Sequence, residues 1–209
     1  MTPRYRAISP DELRRDIADR LASMRPHGPA LRVAVDGPDC ATPQQFAQSL
    51  VDPLQERGRP ATVLRADAFW RDASLRLEFG RTDVESLPSW LDAAALTREV
   101  LHPLGEDGTG TYLPSLRDPE TNRSTRTAPV TARPGEIVIV AGAFLLGAGL
   151  DFDMTVHLAV SAGARERLTP ATEQWTLPAL IAYDARERPA AVADIVIRYD
   201  DPARPAVAA

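Results

Sequence analysis

The stretch that decides the fold is "LRVAVDGPDCATPQQF", residues 31–46. It starts with a mostly apolar run, turns at Asp36-Gly37, and continues into a helical pattern that opens with Pro43. A short apolar run without polar alternation is typical of a strand that is buried on both faces, as in parallel sheets. The stretch therefore predicts a central strand, a turn and a helix.

Four more runs of this kind follow along the chain and alternate with helical patterns. The strand-like runs are "ATVLRADAF" (61–69), "EIVIVAGAFLL" (136–146), "DMTVHLAV" (153–160) and "ADIVIRY" (193–199). The helical patterns cover residues 9–25, 43–58, 89–101 and 170–187, with Pro53 and Pro178 in the interior of the second and fourth. This alternation predicts an α/β fold with a mostly parallel, five-stranded sheet between two layers of helices.

The remaining segments complete the predicted organisation. The polar stretch 105–134 is too long for an idle loop, so we predict a hairpin-like insert or part of a site there. The tail "DDPARPAVAA" is expected to be frayed. With no linker or internal repeat, residues 1–209 are expected to form one domain, with an N-terminal helix at 9–25.

Composition excludes several classes of function. The chain is 44% hydrophobic and 25% charged, with a net charge of −5, which gives no general attraction to nucleic acid or to an anionic membrane. It has no apolar run near the ~18 residues of a membrane helix and no signal-like start, so we expect a cytoplasmic protein. The single cysteine, Cys40, rules out an internal disulfide. All 24 basic residues are arginine.

The turn after the first strand can be compared with a phosphate-binding loop, which reads Gly, four residues, Gly, Lys, then Ser or Thr. Counted from Gly37, the last three positions hold Thr42, Pro43 and Gln44. Proline has neither an ammonium group nor an N–H, and glutamine replaces the short hydroxyl that would hold Mg²⁺. Thr42 would crowd a phosphate and would be strained at positive φ. No lysine elsewhere can substitute, so we predict that ordinary ATP-dependent phosphorylation is lost.

Five stretches in order resemble the uridine kinase family of P-loop phosphotransferases, in particular short members from high-GC bacteria. They are "RVAVDGPD", "RADAFWR", "TYLPSLRDPETNRST", "EIVIVAGAFLL" and "WTLPALIAYDARERPAAVADIVIRYDDP". The resemblance covers roughly residues 28–205 and implies a three-layer P-loop fold with a hairpin that faces a nucleoside. The family's strand equivalent to "EIVIV" usually ends in an acid, where this chain has Ala141.

The resemblance also implies site residues. Asp67 matches the carboxylate that accepts a proton from the attacking hydroxyl, and we take it as the candidate catalytic group. The candidate ligand-binding residues are Asp36, Asp39, Phe69, Trp70, Tyr112, Arg117, Asp118, Asn122, Arg123, Arg165 and Arg167. The degenerate loop comprises Gly37, Cys40, Thr42, Pro43 and Gln44.

Each of these assignments has a structural alternative. Asp36 fits a carboxylate that bonds loop N–H groups, Cys40 fits a small loop filler, and the charged hairpin residues fit a solvated loop. Tyr112, Trp90 and Trp175 could stack on a ring or simply pack. His27, His102 and His157 lack the spacing of metal ligands, so no metal site is expected.

Three functions remain open. The first is a relative of uridine kinase that binds a nucleoside-like or other small polar molecule without ATP chemistry. The second is a recruited enzyme of specialised metabolism that uses Asp67 as an ATP-independent acid or base. The third is a kinase with an atypical loop, and only this function would need ATP and Mg²⁺ as cofactors. In each case the expected partner is a small molecule, and self-association is left open.

Overall fold

The computed structural model describes residues 4–208. Its strands are β1 (Tyr5–Ala7), β2 (Leu31–Asp36), β3 (Ala61–Arg65), β4 (Thr111–Tyr112), β5 (Val130–Thr131), β6 (Ile137–Gly142), β7 (Met154–Ala159), β8 (Ile195–Arg198) and β9 (Ala206–Ala208). Its α-helices are α1 (Pro10–Ser23), α2 (Pro43–Gln48), α3 (Val51–Glu56), α4 (Ala73–Arg76), α5 (Ala93–Leu96), α6 (His102–Leu104), α7 (Ala162–Leu168), α8 (Leu177–Glu187) and α9 (Pro189–Val192). Short 3₁₀ turns cover Asp39–Ala41, Ala66–Phe69, Leu87–Trp90 and Gln174–Thr176, and a π-helical turn, Thr97–Leu101, joins α5 to α6.

The main sheet has seven strands in the order β1-β9-β8-β7-β2-β6-β3. The five central strands are mutually parallel and are the five that the sequence predicts, so the predicted fold class is confirmed. The expectation of a frayed tail is wrong, because β9 pairs antiparallel with both β8 and β1. β1 and β9 are each three residues long, too short to show an apolar period.

Alternating side chains of the central strands bury two separate apolar layers. Val33 and Val35 of β2 point into a layer that is closed by Leu13, Ile17 and Leu21 of α1 together with residues of α2 and α3. Ala34, on the opposite face, joins a second layer that includes Leu96 of α5 and residues of β6 and α8. Helices on both faces explain why the strands read as continuous apolar runs.

Local capping chemistry moves several predicted helix ends. Ser9 caps α1 as expected, with its Oγ accepting the Glu12 N–H at 3.2 Å. The second helical pattern breaks at Ser49-Leu50, which places Pro53 in the first turn of α3. In the third pattern the α-helix begins at Ala93 rather than Ser89, because the Asp92 carboxylate caps the Ala95 N–H at 2.9 Å.

Two further segments have defined positions. Pro178 lies in the first turn of α8, where proline is tolerated, and not in a helix interior. Within the polar stretch, β4 and β5 form an antiparallel ladder, and an isolated bridge joins Arg117 to Ser124. In the part of the chain that the structure describes, no helix combines the length and the apolar character that crossing a bilayer requires.

The strand order marks one edge of the sheet as the expected position of a ligand. From β2 the chain passes to β3 and then to β6, which lies between them, and only afterwards crosses to β7 on the other side of β2. This reversal of direction is a topological switch point, where ligands bind outside the carboxyl ends of parallel strands. The segments that follow β2, β3 and β6 meet at this edge.

Candidate functional site

A cleft of about 560 Å³ lies at this edge of the sheet. Its floor comes from the segments after β2, β3 and β6, and its far wall comes from the 3₁₀ turn Leu87–Trp90 and the segment 169–180. Carboxylates and large aromatic side chains line it: Asp39, Asp67, Glu173, Trp70, Trp90, Phe144 and Trp175. All three tryptophans of the chain are therefore in this cleft.

The loop from Gly37 to Gln44 is folded on itself. The Ala41 N–H donates to the Pro38 carbonyl at 2.8 Å, and the Thr42 N–H donates to the Asp39 carbonyl at 2.9 Å. The Gly37 N–H donates to the Gly142 carbonyl at 3.2 Å. These three N–H groups are already bonded, and Pro38 and Pro43 have none. At most three of the eight residues in the loop therefore have a backbone donor left for an anion. A phosphate cradle depends on successive free N–H groups, so this loop does not fit a triphosphate.

Thr42 has a strained backbone conformation. Its φ of 49° and ψ of 55° are left-handed, a conformation that costs a β-branched residue about 1–2 kcal/mol. Pro43 follows as the buried first residue of α2, and Gln44 lines the cleft. These residues do not fit the Mg²⁺ and triphosphate of a P-loop enzyme, because the loop has no cation and Gln44 stands where the metal-binding hydroxyl would be.

A close approach of backbones fixes the floor beside the loop. A Cβ added to Gly142 would lie 2.5 Å from the Ala66 Cβ, so only glycine fits between the ends of β6 and β3. Ala141, at the position where the family has an acid, is fully buried within β6. The floor therefore has no carboxylate at this position.

Asp67 lies at the cleft end of β3, in the turn Ala66–Phe69, and is mostly buried. Arg65 binds both of its carboxylate oxygens, with its Nε 2.9 Å from Oδ1 and its Nη2 2.6 Å from Oδ2. Such a paired fork orders both side chains and balances their charges. Asp67 thus faces the cleft as predicted, but its charge is shared with an arginine.

Asp39, across the cleft floor, differs from Asp67. Its enclosure by cleft atoms, followed by the nearby charges of Asp67 and Glu173, raises the pKa of Asp39 to about 6. The side chain is still exposed to the solvent of the open cleft, so this pKa shift changes the free energy of unfolding only slightly. Two carboxyl groups in different surroundings, one paired with an arginine and one not, therefore face the same space.

The aromatic wall is held together from behind by an arginine. The rings of Trp70 and Trp90 meet edge-to-face at 5.4 Å, and Trp175 lies 5.9 Å from Trp90. The buried guanidinium of Arg76 lies over both indoles, 4.8 Å from the Trp70 centroid and 4.9 Å from the Trp90 centroid. Burial lowers the pKa of Arg76, and its Nε donates to the Arg71 carbonyl at 2.9 Å.

A buried polar network lies directly behind the loop, and sequence reasoning missed it. Oδ2 of Asp36 is hydrogen-bonded to His157 Nδ1 at 2.7 Å. Its other oxygen, Oδ1, accepts the Leu145 N–H at 2.9 Å and the Tyr183 hydroxyl at 3.2 Å. Burial, followed by the charge of Asp36, raises the pKa of Tyr183. The register Asp36↔His157 between β2 and β7 is the signal that could have found this pair.

The network fits the structural alternative for Asp36, which is fully buried. Phe69 also belongs to the core and is fully buried in the second apolar layer. Cys40 lies in the loop and lines the cleft; burial raises the pKa of its thiol, which disfavours the nucleophilic thiolate.

The predicted hairpin residues lie outside the lining of the cleft. Arg117 forms an ion pair with Asp72 at 3.0 Å, and Asp118 accepts the N–H groups of Glu120 and Thr121. Asn122 has a φ of 56° and accepts the Ala73 N–H at 3.0 Å, whereas Arg123 is exposed. These contacts order the hairpin against α4.

Three more candidate ligand-binding residues, Tyr112, Arg165 and Arg167, also lie away from the cleft lining. Tyr112 is buried near Thr62 and Glu136, at the amino ends of the strands, and burial raises its pKa. Arg165 is buried, donates to the Val160 carbonyl at 2.9 Å and forms an ion pair with Asp184. Arg167 donates to the Gly163 carbonyl within its own helix.

Two solved structures share this architecture. A structure described as a "possible uridine kinase" from Bacillus stearothermophilus is similar over 88% of this chain and 96% of that chain, with a TM-score of 0.69 and 21% identity. A "putative fructose transport system kinase" from Silicibacter sp. TM1040 covers 89% of this chain and 95% of its own, with a TM-score of 0.60 and 20% identity. No family model and no curated protein matches the sequence. The protein therefore has the uridine kinase-like P-loop fold.

Proposed function

We propose that this protein binds a small, polar, nucleoside-like molecule in the cleft and does not transfer phosphate from ATP. The observation that carries the proposal is the closed loop: the N–H groups of Gly37, Ala41 and Thr42 are bonded within the protein, and Pro43 has none. Phosphoryl transfer depends almost entirely on positioning and electrostatic stabilisation. A loop with at most three free backbone donors, no lysine and no hydroxyl at the metal-binding position supplies neither.

The acceptor side of the cleft retains the features of a binding site. Its volume of about 560 Å³ suits a nucleoside-sized molecule, and its aromatic wall offers ring faces beside polar groups. Asp67 and Trp70 face this volume, in agreement with the assignment made from the resemblance. We infer that the fold lost its phosphate-donor half and kept its acceptor half.

A second function is favoured by the pair Asp39 and Asp67. Asp39 has a pKa raised to about 6 by its enclosure and by its acidic neighbours, whereas Asp67 is bound through both oxygens by Arg65. Carboxyl groups whose environments separate their proton affinities can act as acid and base on one ligand. Under this alternative the protein is an ATP-independent enzyme, and Asp39 joins Asp67 as an acid/base group.

The test is transfer of radiolabelled γ-phosphate from Mg²⁺-ATP to a panel of nucleosides and sugars, paired with calorimetric titration of the same acceptors. We expect acceptor binding without label transfer. The control is the triple variant Thr42→Gly, Pro43→Lys, Gln44→Ser, which restores the motif and should bind Mg²⁺-ATP more tightly than the natural chain. Transfer by the natural chain would contradict the proposal.

A further inference from the structure

The electrostatic character of the cleft is opposite to that of a triphosphate site. Asp39, Asp67 and Glu173 face it, and Arg65 is the one arginine in its lining within residues 4–208. Arg65 is already bound through two nitrogens to Asp67. Across the described chain, no arginine comes within ion-pair distance of Asp39 or Glu173, so the cleft has an excess of negative charge.

The aromatic wall already binds one cation of the protein itself. The Arg76 guanidinium is buried over Trp70 and Trp90, and within residues 4–208 no carboxylate lies within ion-pair distance of it. Two indole faces, the Arg71 carbonyl and the Asn122 side-chain oxygen, 3.5 Å from Nη2, surround this desolvated guanidinium. Such cation–π contacts are stronger when water is excluded.

We propose that the cleft selects a planar organic cation over neutral and phosphorylated molecules of the same shape. This inference rests on the proposed function, since it assigns a charge to the ligand of that same site. The carboxylates of Asp39 and Glu173 supply attraction without a competing arginine, and the tryptophans supply flat apolar surface. A phosphate would meet the same carboxylates without a cradle in the loop to neutralise it.

The probes are three molecules of one shape and different charge: adenosine, which is neutral, 1-methyladenosine, which is a cation at pH 7.5, and AMP, which is an anion. Agmatine serves as a cation without a nucleoside. Binding is followed at constant ionic strength by tryptophan fluorescence, because all three tryptophans line the cleft, and is verified by calorimetry. We expect 1-methyladenosine to bind at least about tenfold more tightly than adenosine, and AMP to bind more weakly than adenosine.

The outcomes separate this inference from the proposed function. Equal affinity for adenosine and 1-methyladenosine, or tighter binding of AMP, overturns the charge preference and leaves the nucleoside pocket standing. Binding of agmatine without binding of any nucleoside supports the charge preference and overturns the nucleoside-like ligand. No response to any of the four probes overturns both.

A matched pair of variants tests the source of the preference. Glu173→Gln removes one cleft carboxylate on an exposed side chain, and we expect it to reduce the ratio of 1-methyladenosine to adenosine affinity about fivefold. Glu106→Gln makes the same change in net charge at an exposed position outside the cleft lining, and the ratio should be unchanged. An unaltered ratio in Glu173→Gln would overturn the part assigned to the carboxylates.

Discussion

The segments that follow β2 and β3 leave the same edge of the sheet, but their side chains and backbones serve different ends. After β2, residues 37–44 turn inward: backbone donors bond within the loop and Thr42 accepts a strained conformation. After β3, residues 66–70 present Asp67 and Trp70 to the open cleft. The comparison teaches that two segments at one sheet edge can use their groups differently: the first bonds backbone donors within the protein, and the second presents Asp67 and Trp70 to the cleft.

The largest effect is expected where the loop is tied to the core. Replacing Asp36 by alanine should lower the free energy of unfolding by about 3 kcal/mol, because His157, Tyr183 and the Leu145 N–H would lose a buried partner. Asp36→Asn retains one carbonyl oxygen and should cost less. Urea denaturation measures both variants. Equal stability of Asp36→Ala and the natural chain would show that the hydrogen bonds of Asp36 do not stabilise the fold.

The second effect concerns the opposite wall. Arg76→Ala should lower the free energy of unfolding by about 2 kcal/mol and shift the tryptophan emission, because Trp70 and Trp90 lose the guanidinium that packs over both. The control is Arg81→Ala, an exposed arginine whose loss should cost less than about 0.5 kcal/mol. If both variants have the same free energy of unfolding and the same tryptophan emission, the Arg76 guanidinium does not stabilise the packing of Trp70 and Trp90.

A smaller effect of opposite sign is expected within the loop. Thr42→Gly should raise the free energy of unfolding by up to about 1 kcal/mol, because glycine adopts the left-handed conformation without strain. Part of this gain is offset because glycine increases the conformational entropy of the unfolded chain. Ser49→Gly is the control: Ser49 has right-handed φ and ψ, so the same change there should lower the free energy of unfolding of the protein. Destabilisation by Thr42→Gly would show that the strain is compensated by other contacts.

The smallest effect is a pH dependence at Asp39. Because the pKa rises from 3.8 to about 6 on folding, its contribution to stability is present below pH 3.8 and is lost as pH rises through 6. Asp39→Asn should therefore be more stable than the natural chain at pH 7.5, by less than about 1 kcal/mol because solvent screens the group. The difference should disappear at pH 4, and an advantage that is constant across this range would exclude Asp39 as its source.

Sequence predicted the part of this molecule that depends on local pattern. Five apolar runs predicted the parallel strands, and the spacing from Gly37 located the loop that follows β2. The strand pattern placed Asp67 at a strand end, and the family resemblance added Trp70; both line the cleft. These features need no knowledge of which segments meet across the fold.

Features that depend on long-range pairing were beyond the sequence. His157 pairs with Asp36, 121 positions away, through the strand register, and Glu173 enters the cleft from a segment that its sequence pattern predicted only as helical. Tyr112 and the hairpin arginines were assigned to the site through the family resemblance, whereas packing directs Tyr112 to the core and Arg117 to α4. Side-chain direction in an insert is set by its neighbours and is not encoded in its own composition.

The most direct test of the account is calorimetric titration of the natural protein with Mg²⁺-ATP at physiological ionic strength. The closed loop and the acidic cleft predict no measurable heat of binding at nucleotide concentrations up to about 1 mM. A dissociation constant in the micromolar range would contradict the account, because it would require residues 37–44 to open and form the cradle that their hydrogen bonds now exclude.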